Sequence, residues 1–588
     1  MKFLTIVNKR RSLIFDGLVL LSIAIFSWWL MSSTFGYQDG KIIIDSKLYS
    51  DFGAHLPLIR SFSLGKNWPP EYPFFAGEPI RYHYFFYLLV GFLEKIGLRL
   101  DLALNILSSL GMTLLLWLIY KITNLFAKTR LAGWLAVILF LFNGSLSFVE
   151  YFNQQGWNWQ ALLAIPEQVN FASFGPWSGR LVSAFWNLNI YTNQRHLALS
   201  FALVLLFLYP LLVKIAKLPV SNFKLSWPRK IKTLVLQKCQ LIKDFVLAIF
   251  SLKTDQSLNW FLAFGLVIGY GLMPVLHQAG FIILVYFTVY FLLFYPKVFG
   301  SLKPVYLAAL GVSLLSFYFL TTGDHQPVER IFGFLAEDKT FLGLIRYWWY
   351  NLGFYLPLLP ILLFYTLKKK NFFLFFATGL FVAANIWRLS PDMINNHKLL
   401  NFFMIVVVIT TAIFLINLVK KSKAFLFLTL PLFLLLTFSG FVDLFPIIND
   451  YSGEITDYPR SDIQQWLLKN TAGDSQFLTA SYLHSPASLT GRKLYLDYGY
   501  HAWSMGYKDA AKRVLLPELW SDSISPTRWC GLALSQQLDY VLVGPSEKAV
   551  EDDKIKIDQS LVVSQLPPAY VSPDGWRVWD IKEICSKK

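Results

Sequence analysis

From Leu13 to Phe441 the sequence is a succession of long apolar runs, rich in Leu, Phe and Ile, and no other feature constrains its fold as strongly. A helix needs about 20 apolar residues to cross the hydrocarbon core of a bilayer. Lipid offers no partners to the backbone, so only helices and closed barrels can span it. The runs are continuous and do not alternate with period two, which selects helices over a barrel. Charged residues make up 15% of the chain, against about 25% in an average soluble domain. The deficit is local, because charge density becomes ordinary from Val442 onward. The reading is an α-helical polytopic membrane protein with about 11 transmembrane helices over residues 1–441. A second, α/β domain follows over residues 442–588.

Spans are expected near 13–35, 104–121, 131–149, 197–216, 258–273, 277–295, 304–320, 348–367, 371–387, 399–419 and 424–441. Lys9, Arg10 and Arg11 stand directly before the first run, which sets the N-terminus on the cytoplasmic side by the positive-inside rule. The first run is long and lacks a small-residue cleavage site, so it reads as an uncleaved helix rather than a signal peptide. The alternation then holds at each turn. The inner segments carry 24 basic residues against two acids, Asp244 and Asp255, whereas the outer loops before residue 442 carry 14 of each sign. The net charge of +17 is thus a topology signal facing the anionic inner leaflet, not a nucleic-acid footprint. The C-terminal domain is placed outside. Residues 82–98 are apolar enough for a short span, but counting them would break the alternation. They read as a juxtamembrane or half-inserted helix on the outer face.

Polar residues gather on the outer side in four places, and such clusters mark function in membrane proteins. The long first outer loop, 36–103, holds Asp39, Asp45, Asp51, His55, Arg60, Glu71, Glu78, Arg81 and His83. Phe52, Leu56, Ile59 and Phe62 recur at helical spacing, suggesting an amphipathic helix on the membrane surface. Asp51 and His55 are four apart and would share a face of it. Arg195 and His196 stand where a span begins; an Arg there either anchors the helix or binds an anionic head group. His277 falls between two closely spaced spans, where a packing role is the commoner one. The stretch RLSPDMINNHKLLNFF brings Arg388, Asp392, Asn395, Asn396, His397 and Lys398 to the start of another span, and its donors suit a phosphate.

At these residues the chain resembles the GT-C superfamily of membrane glycosyltransferases, which includes the protein mannosyltransferases and the lipid A aminoarabinose transferase. The order of one span, a long outer loop with an early Asp, many further spans and an outer C-terminal domain carries that resemblance along the whole chain. The segments NWPPEYPFFAGEPIRYHYFF, NQRHLALS and NNHKLL look closer still to uncharacterised bacterial and archaeal relatives of that superfamily. The resemblance implies a polyprenyl-phosphate-linked sugar as donor, used at the outer face of the plasma membrane within the cell envelope. The acceptor, whether glycan, lipid or protein, is left open. Asp51 matches the loop Asp of the superfamily and would be the catalytic base, with Asp45, His55, Glu78 and His83 in support. Arg195, His196, His397 and Lys398 would contact the donor phosphate. Many members have Asp-Glu where this chain has Asp51-Phe52. No metal ligands are therefore assigned, the cofactor is unknown, and whether a divalent metal takes part is left open. Glu78 lies where the aminoarabinose transferase has a Lys before Pro, so that role does not carry over. Inversion at the sugar is the superfamily's expectation.

Cytosolic nucleotide sugars would be out of reach, and there is no Gly-rich phosphate loop to hold one. The rival class is a transporter or lipid flippase, which would need charges lining a path through the spans and often internal repeats. The spans here are nearly uncharged and no repeat is visible. A catalytically inactive relative is the third reading. In the C-terminal segment, helices are expected over 461–469 and 508–516, and strands over 476–480, 539–543, 561–565 and 576–581. Cys530 and Cys585 could pair there or stand as free thiols; Cys239 falls in an expected inner loop.

Overall fold

The apolar runs fold as helices because each must satisfy its own backbone. The computed structural model describes residues 2–173, 182–217, 260–321, 328–369, 371–480, 483–496, 498–521, 524–545, 551–552, 555–556 and 567–586. The helices that matter here are α1 (Lys2–Thr34), α2 (Tyr49–Ser63), α3 (Phe85–Lys95), α4 (Leu100–Ala127), α5 (Arg130–Leu141), α6 (Ser147–Gln155), α7 (His196–Ala216), α8 (Trp260–Leu276), α9 (Gln278–Phe294), α10 (Lys303–Leu320), α11 (Phe341–Leu352), α12 (Tyr355–Lys368), α13 (Phe373–Ile386), α14 (His397–Lys421) and α15 (Leu426–Ile448).

Among the described residues, six helices are long and apolar enough to cross a membrane: α1, α4, α7, α10, α14 and α15. A seventh span forms if α11 and α12 are taken together, although they meet at 93°. Helices α5, α8, α9 and α13 are apolar but shorter, at 10–17 residues. Two expected spans change shape. The run at 131–149 is broken, since α5 stops at Leu141 and α6 starts at Ser147. The turn between them presses against α15, and a side chain at either Gly144 or Gly440 would strike the other segment. The run at 348–367 is the bent pair, with Gly353 at φ 51 ending α11. Helix α3 is 11 residues, about 16 Å at 1.5 Å per residue, too short for a bilayer core. It packs on α2, α4 and α8.

Helix α14 is the axis of the bundle, buried on all sides and packed against α4, α5, α12 and α13. At one end of the bundle, Asp16 pairs with Lys121 and Arg130, and Lys420 donates to the carbonyl of Ala127. The first loop and the C-terminal segment share the other end. Strand Phe35–Gln38 turns through Asp39-Gly40, both at positive φ, into Lys41–Asp45. Lys41–Asp45 then pairs antiparallel with Ser452–Thr456. The loop and the C-terminal segment are therefore one sheet and one hydrophobic core, which includes Phe52, Ile59, Phe477, Trp529 and Val541. The boundary expected at 441/442 falls inside α15, which continues to Ile448.

A five-stranded mixed sheet forms the rest of that segment, in the order Tyr570–Val571, Arg577–Asp580, Tyr540–Val543, Gln476–Thr479, Lys493–Leu494. The last two pairings are parallel and the first two antiparallel. Helices Asp462–Asn470 and Ala510–Leu519 lie close to their expected positions. Cys530 and Cys585 form a disulfide. The strand expected at 561–565, Cys239 and most of the basic inner loop lie outside the described residues.

Helix α2 departs from the surface helix that its pattern suggests. Leu56, Ile59 and Phe62 are buried, and so are Gly53, Leu58, Arg60 and Ser61 on its other faces. The C-terminal segment roofs it. Arg60, 1% exposed, reaches Asp457 at 2.8 Å and Glu94 at 3.3 Å, locking α2 to α3 and to the roof.

Candidate functional site

Beneath that roof lies a cavity of about 320 Å³. Its wall takes residues from α2 and the turn before it, from the loop before α3 and Tyr87 within α3, from the stretch 184–196 that enters α7, and from the start of α14 and the loop that enters it. The C-terminal segment closes it with Tyr500 and His501.

Of the residues expected from sequence, Asp51, His55, His83, His196 and Lys398 all line this cavity. Asp51 and His55 are one helical turn apart on α2, so both reach the same side. No hydrogen bond to the Asp51 carboxylate is found among the described residues, and burial pushes its pKa up to about 6 against the opposing pull of Lys398. Burial likewise lowers His55 to about 3, with His501, Arg195 and Lys398 adding to the effect, and it lowers His501 to about 4. His83 is held well below its ordinary range by burial and by neighbouring imidazoles. These rings are neutral at physiological pH. Lys398, at the start of α14, donates to Tyr82 Oη and to Asn395 Oδ1 at 2.9 Å, and its ammonium lies 5.2 Å from the Tyr82 ring centre.

Four expected residues stand elsewhere. Arg195 is fully buried but faces away from the cavity. Its guanidinium donates to Thr34 Oγ1 at 2.8 Å, Asn105 Oδ1 at 3.1 Å and the carbonyls of Met31 and Thr192, tying α1 and α4 to the start of α7. His397 stacks on Phe185 at 4.8 Å, beside the cavity rather than on its wall. Asp45 accepts from Ser452 Oγ at 2.8 Å within the loop-to-roof sheet, and burial raises it to about 7. Glu78 is engaged with Arg81 at 2.8 Å. Adjacent residues on a helix start point about 100° apart. Of the pairs Arg195–His196 and His397–Lys398, only the second residue of each, His196 and Lys398, lines the cavity.

The cavity also gathers groups that sequence reasoning missed. Asn189, Asn193 and Gln194 line it, and Asn189 Oδ1 and Nδ2, Asn193 Oδ1 and Gln194 Oε1 are buried without a partner among the described residues. Buried polar atoms are normally paired, so this amide-rich wall is suited to a hydroxyl-rich ligand. The run NLNIYTNQ was the available signal. Asp392 joins the wall, its carboxylate accepting from Tyr500 Oη at 2.6 Å.

His277 completes a cluster with two of the cavity residues. The ring centres of His83 and His196 are 4.1 Å apart, and those of His277 are 4.9 and 5.0 Å from them. One ring nitrogen from each lies within 4.8 Å of the others, a set that could share a metal ion.

Residues 55–195 match the model of an uncharacterized membrane protein family, DUF2298. No curated protein matches the chain. Among solved structures, the chain is similar to the Archaeoglobus fulgidus oligosaccharyltransferase in its apo form, with TM-score 0.43 and 13% identity, covering 90% of this chain and 69% of that one. It is also similar to the archaeal oligosaccharyltransferase AglB from the same organism, in complex with an inhibitory peptide and a dolichol-phosphate, with TM-score 0.41, 11% identity and the same coverage.

Proposed function

We propose that this protein is a membrane glycosyltransferase that moves a sugar from a polyprenyl-phosphate donor to an acceptor at the outer face of the membrane. The observation that carries the reading is that Asp51 and Lys398 line one cavity at the end of a bundle of apolar helices. An acceptor hydroxyl attacks the anomeric carbon and its proton passes to the Asp51 carboxylate. A pKa near 6 leaves Asp51 mostly ionised at neutral pH yet more basic than an ordinary carboxylate. The bond from the anomeric carbon to the phosphate oxygen breaks as the new bond forms. The polyprenyl phosphate departs with its charge opposite the Lys398 ammonium, which Tyr82 and Asn395 hold in place. The unpartnered amides of Asn189, Asn193 and Gln194 would receive sugar hydroxyls.

The cavity end is assigned to the outer side. Lys121, Arg130 and Lys420 lie at the opposite end, as the positive-inside rule requires of the cytoplasmic face. The Cys530–Cys585 disulfide supports the same orientation, since disulfides persist in oxidising compartments.

The test is donor consumption by purified protein in nanodiscs across a panel of polyprenyl-phosphate sugars, wild type against Asp51→Asn. Loss of a general base lowers the rate by roughly 10²–10⁴-fold. Consumption that is unchanged in folded Asp51→Asn overturns the base assignment, and transbilayer movement of the lipid without consumption would favour the flippase class.

A further inference from the structure

The three histidines of the cluster come from three separate parts of the chain, and each is held by its own neighbours. The segment carrying His83 is docked on the α8–α9 junction by two hydrogen bonds, Tyr84 N to the Val275 carbonyl at 2.9 Å and Gln278 Nε2 to the Arg81 carbonyl at 2.9 Å. His196 Nδ1 lies 2.9 Å from Tyr87 Oη. His277 Nδ1 lies 2.8 Å from Ser200 Oγ and 3.2 Å from the Gly280 amide. All three residues are buried, at 3%, 2% and 0% exposure. Each ring nevertheless keeps a buried nitrogen with no hydrogen-bond partner among the described residues: His83 Nδ1, His196 Nε2 and His277 Nε2.

We infer that His83, His196 and His277 together bind one divalent cation of the zinc type at the wall of the cavity, with a fourth coordination position open to it. The inference goes beyond the transferase reading and does not depend on it. Neutral imidazoles are ligands of borderline softness, suited to Zn²⁺ and its first-row neighbours, whereas Mg²⁺ and Ca²⁺ require oxygen ligands that this set lacks. Three protein nitrogens with a vacant position is the pattern of zinc sites that take an exchangeable oxygen ligand. His83 and His196 line the cavity and His277 stands behind them, so the vacant position is on the cavity side. The hydroxyls of Tyr87 and Ser200 would accept from the Nδ1–H of His196 and His277, fixing the tautomers in which Nε2 is the ligand. For His277 this tautomer gives up the longer Gly280 contact. Zn–N bonds of about 2.0–2.1 Å bring tetrahedral nitrogens to about 3.4 Å from each other. From separations of up to 4.8 Å the rings must close by up to about 1.4 Å to reach that geometry.

Untagged full-length protein in nanodiscs is loaded with Zn²⁺, passed over a chelating resin and assayed for metal by mass spectrometry. About one Zn²⁺ per chain is retained, and Co²⁺ loading gives the intense visible bands of a tetrahedral centre. His83→Gln and His196→Gln each weaken retention at least tenfold, with the fold of each variant checked by its thermal unfolding midpoint. Asp51→Asn retains its metal, because Asp51 is not a ligand. Wild type that holds no Zn²⁺, or retention unchanged in both histidine variants, overturns the site. Either result leaves the transferase reading standing, because the measurement does not read donor consumption.

Discussion

Tyr500, in the C-terminal segment, donates a 2.6 Å hydrogen bond to Asp392, in the loop that enters α14. Both residues line the cavity, so this bond fastens its roof to the helix bundle. Tyr500→Phe leaves a carboxylate oxygen of the 8%-exposed Asp392 without that donor. A loss of about 1–3 kcal/mol is expected. It is to be read as a lower midpoint of thermal unfolding and faster proteolysis of the C-terminal segment, with the membrane bundle intact.

The pH dependence follows from Asp51, whose carboxyl is raised from 3.8 to about 6 by burial. Its ionised form is the base, so donor consumption falls as pH drops through 6. The stability effect has the opposite sign. Because the folded pKa lies above the unfolded one, the stabilising contribution is full below pH 3.8 and is lost as pH rises through about 6. Asp51→Asn should therefore be slower by roughly 10²–10⁴-fold and, above pH 6, more thermostable than wild type. Thermal unfolding from pH 5 to 8 checks this.

Lys398 and Arg195 should separate when each is replaced by Met. Lys398→Met removes the Lys398 ammonium from the cavity wall and lowers donor turnover by roughly 10²–10³-fold, with little change in melting temperature. Arg195→Met removes four hydrogen bonds, three of them to α1 and α4, and costs on the order of 3 kcal/mol or more. Paired activity and unfolding measurements on the two variants distinguish the roles.

Arg60 is the buried charge that joins α2, α3 and the roof. Arg60→Met leaves Glu94 and Asp457 facing each other without a cation. A destabilisation of about 3–5 kcal/mol is expected. Arg60→Met combined with Glu94→Gln and Asp457→Asn should recover part of it, measured by thermal unfolding in the same nanodiscs.

Much of the site was legible because its residues stand at boundaries where polar chains interrupt apolar ones. Asp51 and His55 were readable as a pair from their spacing on a short amphipathic pattern. His196 and Lys398 stood out as polar residues at span starts. Their neighbours Arg195 and His397 carried the same signal, and nothing in a linear string says which of two adjacent residues faces inward. The amides of Asn189, Asn193 and Gln194 were visible but unremarkable, since amide-rich loops are common and their value here is that they lack partners. His277 read as a packing residue because its partners, His83 and His196, are far from it in sequence.

The sequence by itself determined that this chain enters a membrane, where most helices lie and which segments carry charge. Those properties are local sums over about 20 residues of transfer free energy and backbone hydrogen bonding. Only the tertiary structure decided that α2 is roofed rather than lying at a surface, because its cover comes from the C-terminal segment. It alone also set His83, His196 and His277 within reach of one another. Contacts between distant segments depend on the packing angles of whole helices and on which face each presents, and a one-residue rotation of about 100° reverses the outcome.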